Sequence, residues 1–254
     1  MKPDYKNWMP KGMIWSFLAG ALVSLVLCLT FARMSFVMTI ILAILALLLC
    51  AATVWSVMMY RAFSYNGKRQ MSRQIIEGIA ARVRLPKGGK CLDVGCGSGA
   101  LAIAVAKRNP QASVVGIDRW GVEYASFSKA LCERNARAEG VKNTAFQKGD
   151  AARMEFPDEC FDAVVSNYVY HNIPGNRQDY LLETLRTLKK GGTFAIHDIF
   201  SKSKYGDMRA FVDKLNRMGY SKVALIDTTD GRFMTRREAK WLGLSGSALL
   251  VGKK

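Results

Sequence analysis

Two stretches near the N-terminus carry no charged side chain: MIWSFLAGALVSLVLCLTFA at 13–32 and MSFVMTIILAILALLLCAATVWSVMMY at 34–60. Each reaches the about 20 residues a helix needs to cross the hydrocarbon of a bilayer, where a spanning backbone must satisfy its own hydrogen bonds. The first is longer than the ~7–15-residue apolar region of a signal peptide. It shows no small-x-small cleavage site, and the second run follows almost at once. Lys2, Lys6 and Lys11 precede the pair, Arg61, Lys68, Arg69 and Arg73 follow it, and the connection holds only Arg33. Positive charge marks the cytoplasmic side. The expectation is a multi-pass protein of the cell membrane, with residues 1–60 as a two-helix anchor and 61–254 as a cytoplasmic domain.

The chain has a formal charge of +17, of which residues 1–60 contribute +3, leaving +14 on the remainder. Its basic residues are scattered rather than gathered in an arm, and no helix-turn-helix, zinc-finger or RNA-binding aromatic pattern accompanies them. A nucleic-acid partner is disfavoured. Attraction to an anionic leaflet, about 1 kcal/mol per basic residue near the surface, is the simpler account. The six cysteines include no CxxC pair and no cysteine–histidine spacing suited to zinc. Reduced thiols and no metal are expected.

From about residue 71 short β-branched runs alternate with helical stretches, the pattern of a doubly wound α/β domain. Strands are expected at KCLDV (90–94), SVVGID (113–118), within NTAFQKGD (143–150), at FDAVVSNY (161–168), TFAIHDIF (193–200) and KVALIDT (222–228). SALLVGKK (247–254) can close the sheet as an antiparallel strand. Helices are expected at 101–109, from about Val122 to Glu139, at 176–189 and from about Tyr205 to Met218. Residues 61–75 join anchor to domain and begin a helix against it.

In CLDVGCGSG (91–99) a buried strand runs into Gly95-x-Gly97-x-Gly99. Glycine lacks Cβ and tolerates positive φ, so such a turn lets backbone N–H groups approach a polar ligand. The spacing is not the GxGxxG of the dinucleotide fingerprint. Asp118 ends the next strand about 20 residues on, where a carboxylate can accept both hydroxyls of a ribose. Asp93 lies two residues before the first glycine. A pyrophosphate gains nothing from that acid, whereas a ligand with an ammonium and a sulfonium does. Taken singly, Asp118 could be a strand-end cap, Asp150 a turn residue and Asp93 a helix cap.

At these residues the sequence resembles the class I S-adenosylmethionine-dependent methyltransferases, over almost all of 70–200. DVGCGSG matches the D/E-x-G-x-G-x-G loop of that family. VVGIDRW, GDA, FDAVVSNYVYHNI and LRTLKKGGTFAIHDIF match its later segments in order. The resemblance implies a seven-stranded Rossmann-like sheet of order 3-2-1-4-5-7-6 with strand 7 antiparallel, and S-adenosylmethionine as cofactor. It implies that Gly95, Cys96 and Gly97 line the methionine part, that Gly99 belongs to the same cofactor-binding loop, and that Asp93 supports the amino group. Asp118 would hold the ribose, Arg119 or Trp120 would lie by the adenine, and Asp150 with Ala151 would read the adenine edge. Asn167 and Tyr168 would face the reacting methyl.

Methyl transfer from sulfonium needs alignment first, and a base only if the acceptor starts protonated. The candidate bases are His171 and His197, the chain's two histidines, at the ends of the fourth and fifth strands; Asp198 can bond either. The Asn-Pro-Pro-Tyr pattern of many amino-group methyltransferases is replaced by NYVY at 167–170. An anchored domain serves best an acceptor that is itself small and lipophilic, such as a lipid or quinone. Residues 65–70 and the segment around Trp241 and Leu242 are candidates to face the membrane or cover the acceptor. A nicotinamide-dependent reductase would want the longer glycine spacing and a Tyr-x-x-x-Lys pair. A noncatalytic tethered binding protein would tolerate a broken loop. Deletion of residues 1–60 is expected to leave cofactor affinity intact.

Overall fold

The computed structural model describes residues 2–121 and 126–254. They fall into two compact units, one of residues 7–72 and the other of residues 1–6 with 73–254. The division therefore differs from a simple cut at residue 60: the short segment ahead of the apolar pair belongs with the α/β unit.

The first unit holds α1 (Lys11–Phe31) and α2 (Phe36–Phe63). Ser35 starts α2, its hydroxyl accepting from the Met38 amide. Both helices are long and apolar enough to cross a membrane. Their large side chains are mostly outward, with Leu29 69%, Leu47 70% and Phe36 79% exposed. A core hairpin of a water-soluble domain would bury them. After α2, residues 64–70 turn and α3 (Met71–Ala80) begins, its Ser72 hydroxyl donating to the Phe63 carbonyl at 2.7 Å.

The second unit is a seven-stranded sheet of order β3-β2-β1-β4-β5-β7-β6. Its strands are β1 (Lys90–Val94), β2 (Ser113–Asp118), β3 (Thr144–Lys148), β4 (Phe161–Asn167), β5 (Leu188–Ile199), β6 (Ser221–Asp227) and β7 (Ser247–Lys253). β7 lies antiparallel between β5 and β6, and the other pairs are parallel. Leu92, Val94, Val164 and Ile196 are fully buried, as the strands of a sheet covered on both faces must be. Covering helices include α4 (Ala100–Arg108), α5 (Lys129–Ala138), α6 (Arg177–Arg186) and α8 (Met208–Arg217). The order reverses at β1 and β4, so the site lies off their C-terminal ends.

Several element bounds depart from the sequence expectation. α5 starts at Lys129, where the Ser128 hydroxyl caps it by accepting from the Leu131 amide at 3.1 Å; residues 122–125 lie outside the described part. The helix expected to reach residue 189 stops at Arg186, because Leu188 already pairs with Phe161 and the glycine pair at 191–192 sits inside β5. The helix expected over 205–218 is two: α7 (Lys202–Tyr205), then α8 after Gly206 at φ +69. Asp207 caps α8, accepting from the Arg209 and Ala210 amides. In the last helix, α9 (Arg236–Trp241), Trp241 is 58% exposed, but the adjoining Leu242 is buried.

Candidate active site

The glycine loop leaves β1 and is pinned before it reaches α4. The amides of Gly95 and Cys96 both donate to the Ile117 carbonyl, at 2.8 and 2.9 Å. Gly95, Gly97 and Gly99 have φ of +72°, +55° and +82°. A Cβ on Gly95 would lie 2.2 Å from Val169 Cγ2, so the first glycine is demanded by the close pass of the β4 end as well as by its backbone. Cys96 packs its thiol toward Gly116, whose added Cβ would stand 3.0 Å from the sulfur. Burial pushes that thiol well above its ordinary range. Cys96 therefore serves the loop as packing and backbone.

Asp93 is buried on β1. One oxygen, Oδ2, accepts the Ala102 amide in the first turn of α4 at 2.9 Å; the other, Oδ1, is buried with no partner. Burial pushes this carboxyl up to about 8, against the lowering effect of the Ala102 hydrogen bond, and the nearby Asp118 charge pushes the same way. A buried acid with an orphaned oxygen beside a second acid is a site for a cation.

Asp118 ends β2 with both oxygens turned to the loop. Oδ2 accepts the Gly97 amide at 2.8 Å and Oδ1 the Trp120 amide at 2.7 Å. Each oxygen keeps a lone pair for a further donor. Trp120, at φ +44, folds its indole back so that Nε1 donates to the Gly97 carbonyl at 3.0 Å. Arg119 between them is exposed. The Gly149 amide donates to the Asp118 carbonyl at 3.0 Å, which brings Asp150 and the buried Ala151 beside the end of β2. Asp150 Oδ1 accepts the Ala152 amide at 2.9 Å. The structure thus assembles Asp93, the three glycines, Asp118, Trp120 and Asp150 along one edge.

On the other side of β1, β4 and β5 present the second group. Asn167 is the last residue of β4, and Tyr168 follows at φ +55, a left-handed conformation costly for a bulky residue. The Tyr168 amide donates to the His197 carbonyl at 2.8 Å, and its phenol lies 2.8 Å from Ser247 Oγ. Since the Ser247 hydroxyl donates to the Leu244 carbonyl, the phenol is the donor of that pair. Burial raises the Tyr168 phenol above its ordinary value.

The two histidines have different environments. His197 is fully buried, with Nδ1 2.8 Å from Asn167 Oδ1 and Nε2 3.0 Å from Thr228 Oγ1. Burial lowers it to about 3, and its two ring nitrogens face Asn167 and Thr228. His171 follows β4 in a one-turn 3₁₀ helix (Tyr170–Asn172) and keeps 13% of its side chain exposed. Its Nδ1 lies 2.5 Å from Oδ1 of the fully buried Asp198. Asp198 also accepts from the Ile199 amide on Oδ1, and from the Tyr170 and His171 amides on Oδ2. A carboxylate held this way makes His171 Nδ1 the proton-bearing nitrogen and leaves the Nε2 lone pair to take a proton.

Sequence reading named Asp198 as a partner for either histidine; side chains of adjacent residues on β5 point to opposite faces, so it serves His171 and not His197. Thr228 and Ser247 were not selected: they come from just past the end of β6 and the start of β7, and no local pattern marks them.

This strand order with a glycine turn and strand-end acids defines a Rossmann-like methyltransferase fold. A family described as a methyltransferase domain matches residues 85–234, and the chain belongs to that family. It is 25% identical over 158 residues to 27-O-demethylrifamycin SV methyltransferase of Amycolatopsis mediterranei, covering 62% of this chain and 56% of that one. It is 32% identical over 117 residues to demethylmenaquinone methyltransferase of Geobacillus kaustophilus, covering 46% and 47%. The chain spans about half the length of these curated relatives. Geranyl diphosphate methyltransferase in complex with GPP and sinefungin has a similar fold, with TM-score 0.57 at 13% identity over 76% of this chain and 81% of that one.

S-adenosylmethionine fits the residues present. The orphaned Asp93 oxygen is matched by the ammonium of the cofactor, the cradle has no room for a Cβ at Gly95 and a left-handed backbone at Gly97, and the Asp118 lone pairs suit ribose hydroxyls.

Proposed function

We propose that this protein is a membrane-anchored methyltransferase that acts on a small lipophilic acceptor bearing a dissociable proton, a hydroxyl or an activated ring carbon, with His171 as the general base. The observation that carries this reading is the His171–Asp198 pair, a dyad for which an acceptor with a free lone pair would have no use. Two relatives act, by name, on demethylmenaquinone and on a 27-O-demethylrifamycin, which favours small organic acceptors. Two outward-facing apolar helices support the anchor. Lys2, Lys6 and Lys11 before the pair and Arg61, Lys68, Arg69 and Arg73 after it favour a cytoplasmic position for both flanks.

When bound, S-adenosylmethionine supplies a methyl group on a positively charged sulfur. The chain's own residues hold and exclude. Asp93 would hold the ammonium, the Gly95–Gly97 backbone would line the methionine part, and Asp118 would hold the ribose hydroxyls. Arg119 or Trp120 would lie by the adenine, and Asp150 with Ala151 would read its edge. Asn167, its amide fixed by His197, and Tyr168, its ring fixed through Ser247, shape the place where acceptor and methyl meet. His171 Nε2 takes the acceptor's proton while Asp198 stabilises the resulting imidazolium. Orientation of this kind can contribute about 7–11 kcal/mol to lowering the barrier.

Asp198→Asn tests the role of the dyad, since it keeps the packing but removes the charge that fixes the His171 tautomer. The turnover number for methyl incorporation into a membrane lipid extract should fall about 10²- to 10⁴-fold, with S-adenosylhomocysteine affinity within twofold of wild type. An undiminished turnover would remove His171 as base.

A further inference from the structure

Residues 2–6, ahead of the apolar helices, lie on α5 through contacts that lead to the glycine loop. Asn135 of α5 is fully buried and reads the Asp4 backbone in both directions: Oδ1 accepts the Asp4 amide at 2.8 Å, and Nδ2 donates to the Asp4 carbonyl at 3.0 Å. The same Nδ2 donates to the carbonyl of Ser98, also at 3.0 Å. Ser98 stands between Gly97, whose amide meets Asp118, and Gly99, where α4 begins. Tyr5 is buried at 5% exposure, and its hydroxyl donates to Glu139 Oε1 at 3.2 Å; Glu139 Oε2 in turn pairs with Lys107 of α4 at 2.8 Å. The tail therefore bears on the loop through Asn135, while Tyr5 secures it at the C-terminal end of α5.

We infer that residues 2–6 are a strap that positions the cofactor loop, with Asn135 as the positioning residue. A fully buried amide is expensive to leave unpaired. With the strap in place, every Asn135 polar atom is satisfied and its Nδ2 holds Ser98 rigidly. Without it, two of the three bonds are lost and α5 exposes the surface that Tyr5 covers. The loop must then be ordered by the incoming cofactor, and preorganisation that is missing before binding is subtracted from affinity. The segment leading into α1 thus acts on the cofactor site, contrary to an anchor whose removal leaves affinity intact.

The experiment uses the full-length protein in lipid nanodiscs and titrates S-adenosylhomocysteine by calorimetry, so that its outcome is independent of the acceptor and of His171. Asp4→Pro removes the amide that Asn135 accepts, and a second variant lacks residues 2–6 but keeps both apolar helices. Each should weaken the affinity about five- to thirtyfold, the range expected for one or two net hydrogen bonds. Asn135→Ala should do at least as much. A strap that only adds stability would lower the melting temperature and leave the Kd within twofold of wild type. That result in both tail variants would overturn the inference, and so would equal weakening by Pro3→Ala, which touches none of these bonds.

Discussion

Proton release on cofactor binding follows from the state of Asp93. With its carboxyl at about 8 in the free protein, Asp93 is about nine-tenths protonated near pH 7. An ammonium seated on Oδ1 favours the carboxylate, so binding drives off about 0.9 proton from this residue at that pH. S-adenosylhomocysteine lacks the sulfonium charge, and the amine of a free amino acid lies above the peptide α-amino range, so it is already charged near pH 7 and takes up almost no proton. The release is then close to that of Asp93 alone near pH 7, and it shrinks towards pH 9 as Asp93 is already ionised in the free protein. Calorimetric titration with S-adenosylhomocysteine in buffers of different ionisation enthalpy reads the release directly. Release near pH 7 that falls away towards pH 9 is expected. Asp93→Asn should abolish it. Net uptake by the wild-type protein near pH 7 would refute the placement of the ammonium on Asp93.

The remaining predictions concern single side chains. Asp118→Ala removes the acceptor of two loop amides and should cost about 1.5–3 kcal/mol of S-adenosylhomocysteine affinity by the same calorimetry. Gly95→Ala places a methyl against Val169 at a positive φ and should abolish measurable cofactor binding. Gly95→Ala with Val169→Gly should recover part of it, since the clash goes but the backbone strain stays. His197 is lowered by burial to about 3, so its contribution to stability is complete above about 6.5 and declines as pH falls towards 3. The melting temperature should drop across that window, and His197→Gln should flatten the drop.

The sheet and its cofactor edge were legible because their signals are local. Strand runs alternate with helical stretches, the glycines need positive φ, and Asp93 and Asp118 stand at fixed distances from them. SALLVGKK reads as a strand by its short apolar run, and the structure sets it antiparallel between β5 and β6. The acceptor side was less legible, because it is assembled from distant segments. Ser247 meets Tyr168 across 79 residues, and Thr228 meets His197 across 31. The tail is the extreme case: Asp4 and Asn135 are 131 residues apart, and a Lys-Pro-Asp-Tyr-Lys start beside an apolar run reads as a charged flank. Gly206, at φ +69, and the Asp207 cap decide where α8 begins within the helix expected over 205–218.

Transfer of a labelled methyl group is the most direct test. Full-length protein in nanodiscs made with a total membrane lipid extract would be incubated with methyl-tritiated S-adenosylmethionine, then partitioned between organic and aqueous phases. Label should enter the organic phase, and the rate should fall at least a hundredfold in His171→Asn. Label that stays wholly in the aqueous phase, or a His171→Asn rate equal to wild type, would contradict a lipophilic, base-requiring acceptor.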